Sequence, residues 1–197
     1  MFQFKEYFNL AKNPLEYFKK EKRKETFEAL EFFFLPSVLF LALAELVYNS
    51  LKLSFFEALQ SLFVSLISLS VLLFAGVFLH TFFAHIFIKL LRKPKSFINS
   101  FKPVSFGGLV FAVYLSINTL VMALFYFSHL HNTTYSQFIT SLIFLVGLVH
   151  SLTIEVQGFR FYQKLSVMQS LFIVLIPRIV FYLVVAVLFL IFMIPFM

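Results

Sequence analysis

The sequence contains no cysteine and no aspartate. Without cysteine there are no disulfides, no thiolate metal sites and no cysteine nucleophile. Without aspartate, all nine acidic residues are Glu. That excludes intramembrane aspartyl proteases, phospho-aspartate pumps and Asp-based metal–phosphate chemistry. Charge is also scarce. Only 13% of the 197 residues are Asp, Glu, Lys or Arg, and 61% are hydrophobic. A soluble domain is about a quarter charged and roughly half apolar. The mean hydropathy of +0.94 agrees. These values exclude a soluble globular enzyme, a disordered tail and a nucleic-acid-binding domain. HExxH, GxSxG and Walker sequences are missing too, so no enzyme, cofactor or nucleic-acid partner is expected. No metal is expected either: His80 and His85 are separated by ~140° around a helix and do not share a face.

What is present is apolar sequence in long runs, with 32 phenylalanines. Five stretches are long enough to cross ~30 Å of hydrocarbon at ~1.5 Å per residue. They run over about 32–51, 58–91, 104–128, 135–157 and 167–197. The expected fold is an all-α integral membrane protein, with five transmembrane helices after an N-terminal amphipathic interfacial helix. Residues 1–31 hold six Glu and seven basic residues, without the short apolar core of a signal peptide. Phe4, Tyr7, Phe8 and Ala11 recur at helical spacing. Asn13, Pro14 and Glu16 then form a helix-start signal. Leu15, Phe18, Phe27 and Leu30 oppose a basic face, the pattern of a helix lying on anionic inner-leaflet lipid.

The basic residues orient the chain. Seven lie in the N-terminal segment, five in the second loop (Lys89, Arg92, Lys93, Lys95, Lys102) and two in the fourth (Arg160, Lys164). Lys52 alone lies on the other side. By the positive-inside rule the N-terminus and basic loops are cytoplasmic and the C-terminus is outside. Lys19, Lys20, Lys22, Arg23, Lys24, Arg92, Lys93 and Lys95 form the expected membrane-surface patch. Asn132-Thr133-Thr134 is a glycosylation sequon in the second outer loop, expected to be a chance match.

Ionisable residues inside spans are the best pointers to function, because each costs at least ~2.5 kcal/mol unless paired or hydrated. The expected polar cluster is Glu45, His80, His150, Glu155 and Arg178. Most of these fall on stripes spaced by four: Ser37–Leu41–Glu45–Asn49, Ser68–Leu72–Gly76–His80–Ala84, Gly147–Ser151–Glu155 and Ser170–Val174–Arg178–Tyr182–Ala186. Gly108, Ala112 and Ser116 mark the third span. Small residues on such stripes let helices approach closely. Depth along the spans matches Glu45 with Arg178, which predicts an ion pair between them, with Glu155 as the fallback partner. The cluster reads as a buried pair fixing helix register. The alternative is a proton- or ion-coupled path.

Three segments bear on ancestry. They are Asn13-Pro14-x-x-Tyr17-Phe18, then Pro36 opening the first span, and Gly158-Phe159-x-x-Tyr162-Gln163-Lys164-Leu165-Ser166 followed by Val174-Leu175-Ile176-Pro177. In this order the chain resembles the Yip-domain family, named for eukaryotic members that interact with Ypt/Rab GTPases. The resemblance implies a five-span bundle with a cytoplasmic N-terminus, and a role in vesicle trafficking or membrane shaping for eukaryotic relatives. Two departures argue against a Rab-type partner. Ser151 and Thr153 stand where a large aromatic is often seen, and the N-terminal arm is short. A prokaryotic-type member in the cell membrane is therefore expected. Its role would be a non-enzymatic scaffold, adaptor or membrane organiser with a membrane-protein partner. A small transporter or channel is the alternative.

Overall fold

The computed structural model describes residues 4–21, 26–91, 96–130 and 133–193. Among the described residues all seven elements are helices: α1 (Phe4–Lys12), α2 (Pro14–Glu21), α3 (Thr26–Ser50), α4 (Phe55–Leu91), α5 (Ile98–Phe127), α6 (Thr134–Gln163) and α7 (Val167–Met193). Of these, α4, α5 and α6 are long and apolar enough to cross a membrane by length and composition. Lys22, Arg23, Lys24, Arg92, Lys93, Lys95 and Asn132 lie outside the described residues.

Local chemistry sets the helix ends. Pro14 disfavours helical backbone at Asn13, so the arm breaks there into two short helices. The sequence places a helix start at Pro14 and extends the amphipathic arm to residue 31. Instead α3 begins at Thr26, and Phe27 and Leu30 belong to it. At the head of α4, Ser54 and Glu57 form a capping box: Ser54 N–H donates to Glu57 Oε2 at 2.9 Å. Thr133 caps α6, its Oγ1 accepting from Ser136 N–H at 3.2 Å. Lys164 closes α6 in the left-handed region, with φ 55°, and sets a cation where the helix dipole favours one.

Helix α5 is the hub, packed against α3, α4 and α6, while α7 lies against α6 and α4. Helices α4, α5, α6 and α7 therefore form a ring, with α3 outside it on α5 and α4. The α5–α6 seam is the longest, and glycines explain its closeness. A Cβ on Gly158 would stand 2.8 Å from Pro103 Cβ, and one on Gly147 2.5 Å from Tyr114 Cβ.

Burial is concentrated at the end bearing the basic loops. Ala84, Ile88, Phe106, Leu109, Val110, Ile154 and Phe159 are fully or almost fully buried there. The opposite half of α4 shows Phe55, Phe56, Phe63, Val64 and Ile67 on its surface. The arm adds to the buried end. Phe18, with no exposed surface, stacks on Phe106 at 5.8 Å between ring centroids and meets Tyr162 at 5.5 Å. Tyr17 meets Phe106 edge-on at 5.5 Å. Leu10 is also buried, whereas Phe8 and Leu15 are exposed. Deleting the Phe18 ring should leave a cavity in this cluster and cost ~3–5 kcal/mol. Phe18→Ala should lower the thermal midpoint of the purified protein and open the arm to protease, whereas Leu15→Ala should do neither.

Candidate functional site

Among the described residues the most buried charged side chain is Glu155 on α6, at 1% exposure. Arg178 Nη2, from α7, donates to its Oε1 in a short, charge-assisted contact. Ser151 Oγ, one turn earlier on α6, reaches the same oxygen at 3.5 Å. The second oxygen, Oε2, faces His80 Nε2 of α4 at 3.5 Å. That approach lacks hydrogen-bond geometry. His80 Nε2 and Glu155 Oε2 have no hydrogen-bond partner among the described residues, and the same holds for Thr81 Oγ1 and Arg178 Nη1. Helix α5 contributes space: a Cβ on Gly107 would lie 2.6 Å from Glu155 Oε1. Four helices thus meet at one carboxylate, and only a residue without a side chain is tolerated on the fourth.

A second node lies nearer the basic loops. Gln163 Nε2 donates to Ser100 Oγ at 2.9 Å, and Ser100 Oγ lies 3.0 Å from His85 Nδ1. Helices α4, α5 and α6 are tied again. Lys102, only 5% exposed, places its ammonium 5.6 Å from the centre of the Tyr162 ring.

His150 belongs to a third place. Its Nε2 lies 3.0 Å from the Ala11 carbonyl oxygen of α1. A carbonyl only accepts, so Nε2 carries the proton. Nδ1 then accepts from Tyr114 O–H of α5 at 3.2 Å. Tyr7, also on α1, has its phenol pushed up to about 12 by burial, with Tyr114 adding to the shift. The arm is therefore docked on the α5–α6 pair by polar contacts as well as by Phe18.

The expected cluster divides accordingly. His80, Glu155 and Arg178 come together. His150 does not join them: it is five residues from Glu155, a turn of ~140° around α6. Glu45 is half-buried on α3, which packs on α5 and α4. The predicted Glu45–Arg178 pair is corrected: Arg178 binds Glu155. Depth alone matched Glu45 to Arg178, and depth does not say which helices are neighbours. Two stripe assignments also change. Gly107, rather than Gly108, faces the carboxylate. On α4, Gly76 has open space beside it while Ala84 is buried. Steps of four residues drift by ~40° each, so that stripe winds from the outer surface to the core. Lys19 and Lys20 are exposed on α2, where Lys20 pairs with Glu16 at 2.9 Å. The Ser100–Gln163 node and Gly107 were missed in the sequence, although Gln163 sits within the Tyr162-Gln163-Lys164 motif.

A family model for the Yip1 domain matches residues 8–189. The chain belongs to the Yip1-domain family. No curated protein and no solved structure matches it. In this Yip1-domain protein the matched region takes in α2 to α6 and most of α7. The arm motif and the buried Glu155–Arg178 pair fall inside it. Family membership and the long apolar helices together make this a membrane protein.

Two outcomes follow from this geometry. Arg178→Gln strands a buried carboxylate, and Glu155→Gln strands a guanidinium; each should cost ~3–5 kcal/mol. The double variant should recover folded yield in detergent, and additive losses would break the pairing. For Tyr7 the docked state favours the neutral phenol, so its contribution is complete below pH 10.0 and is lost as pH rises toward about 12. Melting temperature followed through that window should fall less steeply for Tyr7→Phe than for the parent protein.

Proposed function

We propose that this protein is a non-enzymatic, multi-pass scaffold or membrane organiser of the cell membrane. Five helices, α3 to α7, span the bilayer, with the arm docked at the cytoplasmic side of the bundle, the basic loops in the cytoplasm and the C-terminus outside. The observation that carries the reading is the closure of its polar interior. Glu155 is 1% exposed and is engaged by Arg178 over Gly107, so its charge locks helices together. A conducting path needs its carboxylate wet, and it needs its ionisable residues in series. Here His150 is committed to the arm at Ala11.

Aromatic residues support the orientation. Tyr48 and Tyr126 meet at 6.3 Å, and Lys52 Nζ sits 4.0 Å from the Tyr48 ring centre. Phe125 and Tyr135 meet at 6.0 Å. These form the kind of amphipathic belt that marks a membrane boundary, here the outer one. The inner face offers Lys19 and Lys20 to anionic lipid. A membrane-protein partner would meet the apolar flank of α4; a Rab-type GTPase is not part of this reading.

The test is topological and biochemical. A reporter after Met197 should read outside and one inserted near Lys95 inside. Cross-linking in native membranes should recover a membrane-protein neighbour. Proton or ion flux through reconstituted vesicles, abolished by Glu155→Gln, would replace the scaffold with a transporter.

A further inference from the structure

An open groove of about 370 Å³ runs beside the arm, lined by Tyr114, Leu145, Val146, Val149 and His150. That volume is within the range of ligand pockets, ~300–1,000 Å³. The lining is apolar at one end. Leu145, Val146 and Val149 are about half exposed there. The other end is polar, where His150 meets Tyr114 and the Ala11 carbonyl. The next residue in the chain after Ala11 is Lys12, which is exposed. Asn9 and Asn13 flank it and are exposed as well. Lys12 thus follows directly on the carbonyl that meets His150, within one side-chain length of the polar end of the slot.

Depth gives the slot its occupant. From the outer belt, Tyr126 to Tyr114 is ~18 Å along α5, and Tyr135 to His150 is ~22 Å along α6. In ~30 Å of hydrocarbon the polar end therefore lies in the inner leaflet, and Leu145 lies farther outward. The Lys12 side chain can extend back toward the inner headgroups while its stem stays in apolar surroundings. An inner-leaflet lipid has the same polarity: phosphate toward the cytoplasm, acyl chain running outward.

We propose that this groove is a discrete binding site for one anionic phospholipid, with an acyl chain along Tyr114, Val146 and Val149 and the phosphate at Lys12. The site rests on the orientation proposed above and deepens it, because general surface attraction has no single seat and no apolar slot. It also gives the docked arm a ligand. Lys12 is carried by α1, so lipid binding and arm docking support each other.

The experiment uses the full chain in bicelles of phosphatidylcholine mixed with phosphatidylglycerol. Native mass spectrometry then counts retained lipids. The parent protein should keep one phosphatidylglycerol in preference to phosphatidylcholine. Lys12→Gln should reduce that preference about fivefold, the weight of one basic residue near the surface. Val149→Trp should fill the slot and remove the retained lipid. Both positions are exposed, so both variants should fold. Lys19→Gln, away from the slot, should leave the retained lipid in place. Equal retention of the two lipids by the parent protein would overturn the site, and so would a preference unchanged by both variants. A reporter near Lys95 that reads outside would instead overturn the orientation.

Discussion

The Arg178–Glu155 ion pair is the constraint on which the bundle depends. A carboxylate at 1% exposure is tolerable only with a cation and hydrogen bonds beside it, because the desolvation of an unpaired charge costs several kcal/mol. That demand fixes three relationships at once. Helix α7 must present Arg178 to α6. Helix α5 must pass with no side chain at Gly107. Helix α4 must bring His80 to the second oxygen. Apolar helices in lipid slide and rotate at little cost, since lipid tails are as apolar as leucine. One buried pair removes that freedom for four of them.

The same end of the bundle holds nearly all of the packed core. The Ser100–Gln163–His85 node, the Phe18 ring cluster and the arm contact at His150 lie on that side of α4, α5 and α6. The far half of α4 is exposed. The chain is therefore a packed body at the end that carries the arm, continued by helices whose surfaces suit lipid. This one-sidedness is compatible with an organiser acting at the cytoplasmic face, and it explains why the arm is part of the fold. Without the arm, Phe106 and Tyr162 would lose the aromatic partner between them.

Much of this was legible in the sequence, and the failures have a common origin. The Pro14 break and the helices of the apolar stretches follow from local chemistry and hydropathy. The partner of Arg178 does not. Glu45 and Glu155 both lie within reach along the axis, and the choice depends on α7 packing beside α6 and α4. His150 failed in a related way. It looked like part of a polar path because it is polar and intramembrane, yet its face of α6 turns to the arm.

The sequence by itself determined the solvent, the helical class and the family, because composition, span length and the arm and loop motifs are one-dimensional properties. It also restricted the buried charges to a handful of candidates. Only the tertiary structure decided which of them meet, since that depends on helix rotation and neighbourhood, where a drift of ~40° every four residues carries one stripe from surface to core. It also decided that Gly107 rather than Gly108 makes room for the carboxylate. Adjacent residues on a helix point ~100° apart, and nothing in a Gly-Gly pair says which one faces inward.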